Sequence, residues 1–136
     1  MKKIISVFLC VVLFALTSIV PVSAVRVGDP ITGTVGNYSC GGFLWDGSGY
    51  NANTWVSSGA RGSVQEIYAW IRCRFSSSDK PEDETKSNNA NSIDIDATVN
   101  RSDQALYLYG RHYVVLTTGD NWNRTDYTNN ETWHGY

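Results

Sequence analysis

Gln65-Glu66-Ile67-Tyr68-Ala69-Trp70-Ile71-Arg72-Cys73-Arg74-Phe75 decides the fold of this chain. Read with a period of two, Ile67, Ala69, Ile71, Cys73 and Phe75 share one face. Glu66, Tyr68, Trp70, Arg72 and Arg74 share the other, as in a half-buried strand. Read with a helical period, Val64, Ile67, Tyr68, Ile71 and Phe75 form a stripe, and Ser63 with Glu66 makes a capping box. Composition separates the two, because Ile, Tyr, Trp and Phe pack better on a pleated surface than on a helix. The strand reading gives an all-β chain; a helix over 63–75 would make it α+β.

Two further segments alternate in the same way. In Ser92–Val99, Ile93, Ile95, Ala97 and Val99 oppose Asp94, Asp96 and Thr98. In Leu106–Leu116, Leu106, Leu108, Gly110, His112, Val114 and Leu116 oppose Tyr107, Tyr109, Arg111, Tyr113 and Val115. Gly110 inside this strand marks a bulge or a close backbone approach. Toward the N-terminus, Thr32–Gly36 and Tyr38–Trp45 give two short strands, with Cys40-Gly41-Gly42 irregular. Asp46–Gly49 is a turn, and Thr54–Ser58 is another short strand. Ser76–Asn91 has no apolar residue larger than Ala90 and reads as a long, exposed, mobile hairpin loop. The polar tail from Gly119 to Tyr136 adds a final edge strand. Short strands joined by turns favour a small antiparallel β-sandwich, with a small open β-barrel as the alternative.

Met1–Ala24 carries two lysines, an apolar run from Ile4 to Val20, Pro21, and small residues at Val22-Ser23-Ala24. This is the order of a secretory signal, with cleavage expected after Ala24 and a secreted bacterial product. Residues 25–136 then form one domain that is not embedded in a membrane. Cys40 and Cys73 remain, and an even pair in an exported chain predicts a disulfide between them. In the chain-entropy picture it would stabilise the fold by roughly 3–4 kcal/mol.

From Val25 onward the chain has nine Lys and Arg against thirteen Asp and Glu, a formal charge of −4. No basic cluster occurs, which excludes nucleic acid as a partner. No cofactor or metal motif is present: the cysteines lack a nearby histidine, and Asp46–Asn51 lacks the alternating acids of a calcium loop. Asp94 and Asp96 share a strand face and His112 lies mid-strand. A hydrolase built on them is one alternative, but no nucleophile motif surrounds them, and the expectation is a protein that is not an enzyme. Asn-x-Ser/Thr sequons at Asn37, Asn100, Asn123 and Asn130 are few enough to arise by chance.

All five Trp and eight Tyr lie after Ala24. A sandwich this small cannot bury them all, and the surplus rings suit recognition. Trp70, Tyr107, Tyr109, Arg111, Tyr113, Trp122 and Trp133 are the candidate ligand-binding residues. The tail rings are favoured for exposure by their polar neighbours. The expected partner is an extracellular polysaccharide, a cell-envelope polymer or a cell-surface protein. A bacteriocin-like effector acting on competitor cells is the other alternative.

Overall fold

The computed structural model describes residues 25–47, 49–75, 82–88 and 92–129. Residues 1–24, expected from sequence to be a secretory signal, Trp133 and the Asn130 sequon lie outside these residues. Among the described residues, eight antiparallel strands form two four-stranded sheets: β1 (Val25–Val35), β2 (Tyr38–Asp46), β3 (Tyr50–Val56), β4 (Val64–Phe75), β5 (Glu82–Asn88), β6 (Asp94–Val99), β7 (Ala105–Leu116) and β8 (Asn121–Asn129). The first sheet has the order β1-β2-β3-β6 and the second β5-β4-β7-β8. No α-helix occurs among the described residues. The one helical element is a 3-10 turn at Ser58–Ala60, and no helix there is long and apolar enough to cross a membrane.

The alternation seen in the sequence is the burial pattern of the strands. Along β4, Ile67, Ala69, Ile71 and Cys73 are fully buried, and Tyr68, Trp70, Arg72 and Arg74 are half-buried on the outer face. With Leu44, Leu108, Val114 and Phe75 these inner residues fill the layer between the sheets. Gly36, at φ +56°, makes the tight turn between β1 and β2, where a side chain would be strained.

Four expectations need correction. Leu106 points outward and is 40% exposed. Arg74 pairs with Tyr107 and Phe75 with Ala105, so Leu106 is the extra residue of a bulge and leaves the inner face. Cys40-Gly41-Gly42 is regular strand, paired to Val56, Trp55 and Thr54. The polar connection after β4 holds β5, whose backbone pairs with β4 from Ile67↔Asn88 to Cys73↔Glu82. It needs no apolar face because it is an edge strand held by backbone hydrogen bonds.

The fourth correction concerns the cysteines, which are both buried and form no disulfide. Cys40 pairs with Val56, two residues beyond Thr54. The Thr54 hydroxyl touches His112, which pairs with Ala69. Cys73 lies four residues from Ala69 in the opposite direction, beside Phe75. At strand rise the two thiols are therefore separated by roughly 20 Å. A disulfide needs α-carbons about 4.4–6.8 Å apart. Burial also pushes the Cys40 thiol up to about 11, against a smaller opposing pull from Arg124. Alkylation of the native protein should leave both thiols unmodified. Peptide mapping after denaturation without reductant should find both alkylated. A linked Cys40–Cys73 peptide would refute this placement.

Candidate functional site

The outer face of the second sheet gathers six aromatic rings. Cross-strand pairing places side chains in rows: Asp83, Arg72, Tyr109 and Tyr127; then Thr85, Trp70, Arg111 and Thr125; then Tyr68, Tyr113 and Asn123. Arg74 and Tyr107 make a further pair beyond Arg72 and Tyr109. The rows follow from the period of two, because residues paired across antiparallel strands share a face.

The rings contact one another rather than the core. Trp70 and Tyr109 meet edge to face at 5.7 Å between centroids. Tyr127 lies 6.1 Å from Tyr107 and 6.4 Å from Tyr109. Tyr127 is 57% exposed, and the other five rings of the face, Tyr68, Trp70, Tyr107, Tyr109 and Tyr113, are half-buried. Two adjoining depressions interrupt the face. One, of about 360 Å³, is lined by Tyr68, Arg111, Tyr113 and Asn123. The other, of about 300 Å³, is lined by Trp70, Arg72, Tyr107, Tyr109 and Arg111. Arg111 borders both.

The guanidinium groups of Arg72 and Arg111 lie 5.1 and 5.0 Å from the Trp70 centroid, within cation–π range. Arg72 is also held by both oxygens of Asp83, at 2.6 and 2.8 Å, and this bond keeps the Asp83 carboxyl below its ordinary value. Trp70 therefore acts as a holder of two cations more than as a free stacking face.

Of the residues singled out from sequence, Trp70, Tyr107, Tyr109, Arg111 and Tyr113 are brought together here. Trp122 is not. It is 4% exposed and faces the interior from β8, with its indole lying against Gly33. Its polar neighbours Asn121 and Asn123 are the outward half of the alternation, which made the ring look exposed in sequence. Tyr127 and Asn123 join the face although sequence reasoning did not select them. The signal was there: both sit at odd positions of β8, in phase with Asn121 and Thr125.

The residues considered for hydrolysis are kept apart. His112 has no exposed surface. Its Nδ1 lies 2.9 Å from the Thr54 hydroxyl, and its Nε2 has no protein partner. Burial lowers its pKa to about 4, partly opposed by a hydrogen bond with the Asn53 backbone. Asp94 and Asp96 lie exposed on the first sheet, where the Asn53 amide donates to both, at 2.6 and 3.1 Å. Burial raises the Asp94 carboxyl above its ordinary value. No group of three or more His, Cys, Asp or Glu among the described residues could hold a metal ion.

Comparison of the chain with protein-family models, with curated proteins and with solved structures finds no match.

Proposed function

We propose that this chain is a secreted, non-enzymatic binding module that recognises an extracellular or cell-envelope glycan through the outer face of its second sheet. The observation that carries the reading is the gathering of Tyr68, Trp70, Tyr107, Tyr109, Tyr113 and Tyr127 on one solvent-facing surface. A sheet face turned away from the core gains little from rings that stay half-wet, and flat rings with polar tips suit the faces and hydroxyls of sugars. Asn123 and the tyrosine hydroxyls supply donors and acceptors at the rim of the larger depression. Such a site works by surface complementarity and needs no nucleophile.

Titration with a panel of soluble cell-wall polysaccharides, read by calorimetry and by quenching of Trp fluorescence, tests this. At least one polymer should bind. Tyr109→Ala should weaken it about tenfold, the size of one well-placed ring contact, with the melting temperature nearly unchanged. Trp45→Phe, on the first sheet, should bind as the parent does. No binding across the panel, or equal loss from the two variants, would refute the proposal.

A further inference from the structure

The charge on the aromatic face narrows the ligand class, and this step rests on the glycan-binding reading above. The chain as a whole is acidic, yet Arg72, Arg74 and Arg111 all project from this one face. Arg72 is neutralised by Asp83. Arg111 is exposed, has no carboxylate within ion-pair distance among the described residues, and is steadied by the Trp70 ring. Arg74, one row beyond Arg72, likewise has no acidic partner there. An arginine held in place without a counter-charge is already ordered for a planar anion, because part of its side-chain entropy has been lost before binding.

We propose that the ligand is a carboxylated glycan, a uronate-bearing oligosaccharide lying along β7 with a carboxylate on Arg111. Arg111 stands between the two depressions, so sugar rings seated in both would flank it. The anion must then be carried on a ring rather than at the end of a flexible substituent. The guanidinium fork donates two parallel hydrogen bonds to a carboxylate. Tyr109 and Tyr113, on either side of Arg111 along the strand, provide the ring contacts.

The test uses oligogalacturonate, its methyl-esterified form, which keeps the rings and removes the charge, and a polyol-phosphate polymer. Oligogalacturonate should bind at least about tenfold more tightly than the ester, and the difference should shrink as salt is raised from about 0.05 to 0.5 M. Arg111→Gln, an exposed position where folding is unaffected, should bring both sugars to the same weak affinity. Tyr109→Ala should weaken both alike. If acid and ester bind equally, the charge assignment is wrong and the glycan reading stands. If only the phosphate polymer binds, the carboxylate is the wrong anion. If a neutral cell-wall polysaccharide binds and uronates do not, this inference fails alone. If no glycan binds, it falls together with the reading beneath it.

Discussion

Gly42→Ala should destabilise the fold by about 3 kcal/mol, a large effect for the addition of one carbon. Gly42 lies on β2 opposite Thr54, and the space where its β-carbon would sit is occupied by the His112 ring. The ring is fully buried and also packs close over Gly110, where a β-carbon would lie 3.1 Å from its Nε2 and 2.9 Å from Leu44. An alanine must therefore displace the imidazole, break its contact with Thr54, or part the sheets. Urea unfolding should show a lower midpoint with an unchanged slope. The companion variant His112→Ala opens a cavity and is destabilising by itself. In that background Gly42→Ala should cost far less, giving a coupling of more than about 1 kcal/mol in a double-mutant cycle. Additive effects would mean that Gly42 does not make room for His112.

The second large effect is in pH dependence. Asp126, on the inner side of β8, has its Oδ2 buried without a partner. Burial raises its pKa from the ordinary 3.8 to about 6, eased by a backbone bond from Tyr127 and increased by Asp29. Between about pH 4 and 6 the folded carboxyl holds a proton that the unfolded one has released, so this group favours folding on the acid side and loses that contribution as pH rises. His112 runs the other way. Its folded pKa, near 4, lies below the ordinary 6.5, so its contribution is lost as pH falls through the same window. The two slopes oppose each other, and together they hold stability nearly level there. Asp126→Asn removes one of them. The variant should be more stable than the parent by about 2–3 kcal/mol at pH 7. That advantage should vanish by about pH 4, and the variant's own stability should fall steeply between the two. Urea midpoints at pH 4, 5, 6 and 7 measure this directly. Parallel curves for the two proteins would show that Asp126 ionises normally in the fold.

How much of this could be read in the sequence follows from where apolar periodicity was present. β4, β6 and β7 declared themselves because each puts one face into the core. β5 could not, since an edge strand held by backbone hydrogen bonds carries no apolar alternation. The glycines at 41 and 42 looked irregular because their reason lies on other strands, in the rings of Trp55, beside Gly41 in the same sheet, and His112, opposite Gly42 in the other, that need their space. Leu106 was misassigned by a bulge, which periodicity alone cannot locate. Trp122 was misread because a single inward ring among polar neighbours resembles an exposed one. The cysteines were paired on parity and cellular compartment, arguments that are blind to which end of a core each residue occupies. The aromatic face itself was legible on β4 and β7, and became a site only when pairing with β8 added Tyr127 and Asn123.

The composition of β5 has a consequence for how these molecules meet one another. Its rim carries Glu82, Asp83 and Glu84 in succession, and the side chains of Asp83 and Glu84 are exposed. Two copies approaching rim to rim would have to strip the water from these exposed carboxylates to join the backbones. Self-association through the open side of the second sheet is thereby disfavoured, and crowded molecules can remain dispersed with their ring-bearing faces uncovered.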